Sequence, residues 1–79
     1  MKEQKIKQDA TIFIGANIRE IRLRCGIGQT DLVRQIQLLG INMTRETLVK
    51  IERGVQHISA SQLRAIRDSL NTTYDELLK

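Results

Sequence analysis

The stretch TRETLVKIERG, residues 44 to 54, decides how this chain is read. Thr44 can cap a helix, because its hydroxyl accepts one of the N–H groups that a first helical turn leaves unpaired. Met43 and Leu48 flank that cap at staple spacing, and Gly54 suits the left-handed residue that closes a helix. At about 100° per residue, Leu48 and Ile51 share one side and face a core. Glu46, Val49, Lys50 and Arg53 lie opposite, with Arg45 on the flank. Glu52 falls about 120° from the exposed centre near Glu46, so its carboxylate sits toward the buried side and needs a partner. The exposed face offers cations, one carboxylate and one aliphatic group. Such a face can be a solvated surface. It can also read base edges: Arg or Lys donates to guanine, Glu accepts from the cytosine amino group, and a methyl meets the thymine methyl.

Working outward, every segment carries helical spacing and none reads as a strand. Ile14, Ile18, Ile21 and Cys25 recur at intervals of four, three and four, which is one face of a first helix, and Gly26 ends it as a left-handed cap. On this reading Cys25 is a small buried hydrophobe. Arg22 lies between the apolar positions. Gly28 can cap a second helix with Asp31 in its first turn, where the dipole favours an acid. Its apolar stripe is Leu32, Val33, Ile36 and Leu39, and Gly40 stops it with Ile41 packing behind. A fourth helix has the fullest start signal, a capping box from Ser59 and Gln62 with a staple from Ile58 and Leu63. Leu63, Ile66 and Leu70 continue its stripe to Asn71. Thr73 and Glu76 suggest a second capping box, before a short fifth helix that docks Tyr74, Leu77 and Leu78.

The expected fold is therefore all-α: a compact five-helix orthogonal bundle over residues 11–79. The preceding MKEQKIKQDA, residues 1–10, reads as a flexible basic arm. With 79 residues there is one small domain, whose core is marginal and depends on short connections and dense helix packing. A net charge of +4 and a pI of about 9.7 admit nucleic acid as a partner without requiring it. Aromatics are one Phe and one Tyr, which argues against the stacking platforms that hold single strands. One cysteine excludes an intrachain disulfide, and without a leader or a long apolar run the chain reads as cytoplasmic, with no membrane partner.

Two helices joined by a turn, the second cationic on its outer face, form a helix-turn-helix arrangement. Residues 15 to 78 resemble the Cro/C1-type helix-turn-helix family, also called the XRE family, whose fold is of the lambda-repressor type. The resemblance rests on IREIRLRCGIGQTDLV with Arg22, Gly26, Gln29 and Leu32 in relation, on TRETLVKIERG with its terminal I-E-R-G, and on ISASQLRAIRDSLNTTYDELL. It implies roles residue by residue. Gln29 matches a glutamine that touches the DNA backbone and braces the recognition helix. Arg45, Glu46 and Lys50 match base-reading positions, with Thr47 and Val49 on the same helix. Thr44 and Arg53 match positions near phosphates, and Arg22 with Glu52 matches an ion pair tying the first helix to the third. One departure stands out. QIQLLGINM makes the end of the second helix and the turn longer than in the common family pattern, and this turn sets how the two helices cross.

Other chemistries find no footing. His57 reads as a surface loop residue or a phosphate contact, and with one cysteine it cannot build a zinc site. Ser59, Ser61 and Ser69 have no histidine base at sensible spacing. Asp31, Asp68, Asp75 and Glu76 are explained by helix dipoles and solubility. No catalytic set, metal or cofactor is expected. The expected function is a sequence-specific, double-stranded-DNA-binding transcriptional regulator, a repressor by preference, inserting residues 44–53 in the major groove. It would pair as a homodimer on a near-palindromic site, with Tyr74 to Leu78 as the first place to look for the contact. The alternative is an antitoxin or small antagonist that acts mainly through a protein partner.

Overall fold

Ile14, Ile18 and Ile21 line the inner side of the first helix, α1 (Ile14–Arg24), and are essentially sealed from solvent. The computed structural model describes residues 5–6 and 13–79. Four more helices follow: α2 (Gln29–Leu38), α3 (Arg45–Glu52), α4 (Ala60–Leu70) and α5 (Tyr74–Leu78). Helix α1 packs on α3, α4 and α5, while α2 packs on α3 and α4. Leu32, Ile36, Met43, Leu48, Ile51, Ile58, Ile66 and Leu77 join the α1 isoleucines in one core. Burying such side chains contributes about 1.5–3 kcal/mol each before ordering costs, which is how so short a chain holds a fold.

The all-α expectation holds, with one small addition. Lys5–Ile6 (β1) and Ile58–Ser59 (β2) form a two-residue antiparallel ladder, pairing Lys5 with Ser59 and Ile6 with Ile58. The ladder is too short to leave a period-two pattern in the sequence. It gives the expected arm a backbone contact at residues 5 and 6; residues 1–4 and 7–12 lie outside the described residues.

The helix ends explain the sharp connections. After α1, α2 and α3 the chain turns with the same pair of backbone bonds. At α2, Gly40 N–H donates to the Gln37 carbonyl at 2.9 Å and Ile41 N–H to the Ile36 carbonyl at 3.3 Å. Gly40 sits at φ +84°, a conformation that an L side chain resists. This reversal folds Ile41 back against the core. It also corrects two expectations. Leu39 is 53% exposed, because it is the cap residue of α2 and the core space beside it is taken by Ile41 and Met43. Cys25 is exposed for a similar reason. It stands one residue past the end of α1, where the helical wheel no longer sets direction.

Helix starts follow the sequence more closely. Ser59 and Gln62 make the full reciprocal box, Ser59 N–H donating to Gln62 Oε1 at 3.0 Å and Gln62 N–H to Ser59 Oγ at 3.3 Å. At α5 the box is one-sided. Thr73 accepts from Glu76 N–H at 3.2 Å, while the Glu76 carboxylate turns to Lys79 at 3.4 Å. Helix α5 is pinned instead by buried Asn17, whose Nδ2 donates to the carbonyls of Leu77 at 2.9 Å and Lys79 at 3.0 Å. Leu77 is fully buried and Arg67 lies over the Tyr74 ring at 4.4 Å, but Leu78, expected to dock with them, is exposed at the end of the helix. A hydrogen bond to Asp68 raises the Arg67 guanidinium pKa above its ordinary value.

Candidate nucleic-acid interface

Helix α3 is gripped from behind and open in front. Leu48 and Ile51 are fully buried, and Thr44 caps the helix by accepting Thr47 N–H at 3.1 Å. The Thr44 hydroxyl in turn donates to Thr47 Oγ1 at 3.0 Å, so both threonines are occupied in fixing the first turn. Gly15 of α1 backs directly onto α3: a Cβ there would overlap the Ile51 carbonyl oxygen and come within 2.9 Å of its carbon. Only a glycine lets the two helices approach so closely. Sequence patterning missed this residue, since a lone glycine inside a helical pattern reads as a weak spot and not as a contact.

A polar clamp completes the grip. Arg22 Nε donates to Glu52 Oε2 at 2.8 Å and Nη2 to Oε1 at 3.0 Å, a bidentate pair with side chains 7% and 2% exposed. Arg22 Nη1 donates to the Ile27 carbonyl at 2.9 Å, which ties in the α1–α2 connection. Gln29, half-buried at the start of α2, donates from Nε2 to Glu52 Oε1 at 3.1 Å. One carboxylate thus joins α1, α2 and α3. A buried pair of this kind adds little net stability against an apolar alternative, but losing one partner strands a charge. Its geometric consequence is that the orientation of α3 is locked to the first turn of α2.

The longer turn is held as firmly. Gln37 Nε2 donates to the Met43 carbonyl at 2.7 Å, Met43 is buried, and Ile41 packs on the core. Residues 39–44 are therefore anchored at three points between the two helices.

On the outward side of α3, Arg45, Glu46, Lys50 and Arg53 are exposed, and Thr47 and Val49 are half-buried. Lys50 Nζ lies 3.4 Å from Glu46 Oε1, an i,i+4 pair on the solvent side. Arg45 and Arg53 form no ion pair among the described residues. The free cations therefore stand at the two ends of α3, with a neutralised pair between them. His57 is exposed in the connection to β2. No group of His, Cys, Asp or Glu able to hold a metal exists among the described residues. No described helix is long and apolar enough to cross a membrane.

This arrangement, a short helix braced against α1 and α2 with a cationic outer face, is that of a helix-turn-helix, and the profile of a helix-turn-helix family matches residues 18–77. The chain belongs to the Cro/C1-type helix-turn-helix family. Searches of curated proteins and of solved structures give no match. Members of the Cro/C1-type family are DNA-binding regulators, and the matched region spans all but the first four residues of α1 and runs through to Leu77 of α5. Within that family frame, α2 and α3 are the paired helices and residues 39–44 the turn.

Proposed function

We propose that this chain is a sequence-specific transcriptional repressor that inserts residues 44–53 into the major groove of double-stranded DNA. One observation carries the reading: the buried side of α3 is fixed by Leu48, Ile51 and the Arg22–Glu52–Gln29 clamp, while its opposite side presents Arg45, Glu46, Lys50 and Arg53 to solvent. A helix held this rigidly can place side chains against base edges with little loss of freedom on binding.

Arg45 at the first turn is the candidate guanine donor. Lys50 and Glu46, paired at 3.4 Å in the free protein, separate on DNA so that Lys50 donates to a base or phosphate and Glu46 accepts from a cytosine amino group. Val49 and Thr47 offer apolar contact to a thymine methyl. Arg53 at the end of α3 donates to a phosphate, and Thr44 at its start does so by turning its hydroxyl proton away from Thr47. Gln29 acts at the N-terminus of α2. Its amide must turn an N–H toward Glu52, since a carboxylate only accepts, and its second N–H is left for a phosphate oxygen. The protein acts in the cytoplasm, as a homodimer on a near-palindromic site, because one such helix reads too few base pairs for an address.

The Glu46–Lys50 pair supports a second reading, an antitoxin or small antagonist working through a protein partner. It neutralises the middle of the reading face and so weakens the electrostatic case for DNA. A gene for a toxin-sized protein adjacent to this one favours that reading. Selection of DNA by the isolated protein favours the first, and binding by Arg45→Ala and Lys50→Ala variants tests which side chains carry it.

A further inference from the structure

Glu46 is the one acid on the outward face of α3, set among Arg45, Lys50 and Arg53. Its side chain is 79% exposed. A carboxylate only accepts, so in the major groove it can meet only amino groups, those of cytosine N4 and adenine N6. Adenine sets an N7 acceptor beside its amino group, which repels a carboxylate. Thymine has its O4 acceptor where cytosine has the amino group, and is repelled outright. Cytosine remains. Val49 follows Glu46 at i+3, so the two side chains are neighbours on the helix surface. Val49 is half-buried, which leaves part of its isopropyl group open on the groove side. A β-branched side chain in a helix keeps essentially one rotamer, so this apolar surface is fixed in place.

An acceptor and a methyl contact are thus offered side by side. Cytosine uses the first and leaves a bare ring C–H at the second. Thymine suits the second and fails at the first, so beside Glu46 the methyl that Val49 covers belongs to a different base. The pyrimidine that carries an amino group and a methyl group next to each other on its groove edge is 5-methylcytosine. We propose that α3 reads 5-methylcytosine in duplex DNA, the Glu46 carboxylate accepting from N4 and the Val49 isopropyl group covering the 5-methyl. Arg45, Lys50 and Arg53 around Glu46 offset the repulsion between its carboxylate and the phosphates. The inference rests on the DNA reading above and adds a regulation to it: occupancy of the site follows the methylation state of one cytosine.

The test starts from duplexes that the full wild-type chain selects from a random library. These are resynthesised with 5-methylcytosine at one cytosine at a time and titrated with wild type, Val49→Ala and Glu46→Gln. At one cytosine the added methyl strengthens wild-type binding about 4-fold, the effect of burying one such group. In Val49→Ala the ratio of methylated to unmethylated affinity at that position falls to about 1. The ratio is internal to each variant, so partial unfolding cannot imitate the result. Thymine in place of that cytosine costs wild type about 10-fold and Glu46→Gln clearly less, because a glutamine amide also donates to O4. N4-methylcytosine there weakens wild-type binding, since its methyl replaces the proton that Glu46 accepts. A wild type that selects a motif yet gains nothing from 5-methylcytosine at any position overturns this proposal and leaves the DNA reading standing. So does a gain that survives in Val49→Ala, which assigns the effect to duplex shape. Selection of no motif at all overturns both.

Discussion

Glu52 is the residue on which most of this structure turns. It accepts from Arg22 twice and from Gln29 once, and it is nearly sealed from water. Glu52→Ala leaves the Arg22 guanidinium buried without a counter-charge, and we expect a loss of about 3–5 kcal/mol in a denaturant unfolding curve, a large share of the stability of a small domain. On the reading face the expectation differs. Arg45→Ala and Lys50→Ala should leave the unfolding curve nearly unchanged and each cost about 1–3 kcal/mol on a cognate duplex, measured by titration. Gln29→Ala should weaken binding evenly across duplex sequences. The need of Glu52 for a partner is legible in the sequence, because a carboxylate on the buried side of a helical wheel demands one. The family resemblance supplies Arg22 as that partner; that Gln29 donates to the same carboxylate is not legible, since only packing brings the three side chains together. Cys25 and Leu39 show the opposite failure. Each fits an apolar stripe by spacing, yet each sits one residue beyond its helix, where the stripe has no meaning.

At the scale of elements, start signals translate into structure more faithfully than contacts between helices do. The Ser59 box is local chemistry, complete within four residues, and Ser59→Ala should lower stability by about 1 kcal/mol in thermal or denaturant unfolding. The close approach of α1 to α3 at Gly15 is not local, and no spacing rule reveals it. Gly15→Ala should push the two helices apart and cost about 1–3 kcal/mol or more by overpacking. Its DNA affinity, measured under conditions where the variant is folded, should fall as well, because α3 would no longer sit square to α2. The longer turn after α2 follows the same pattern. Its Gly40 cap and the packing of Ile41 are readable from the sequence, whereas the Gln37 bond to the Met43 carbonyl, which makes the turn a brace, is a product of the fold.

For the molecule as a whole, a net charge of +4 gives a modest uniform attraction to DNA, and in the proposed function discrimination comes from α3. Binding should weaken with added salt, and Arg53→Ala should reduce the slope of log affinity against log salt by about 1 for each phosphate that Arg53 neutralises. The fold class is fully legible because five helices with clear caps leave few ways to pack. The ladder between residues 5–6 and 58–59 is not, being too short to carry a pattern. The measurement that bears most directly on the central claim is selection from a random-sequence duplex library, with wild type and the Arg45→Ala/Lys50→Ala double variant run in parallel. Wild type should enrich a two-fold motif and the double variant should not. Failure of both to enrich any sequence would contradict the claim, reduce the basic charge to non-specific attraction, and point to a protein as the true partner.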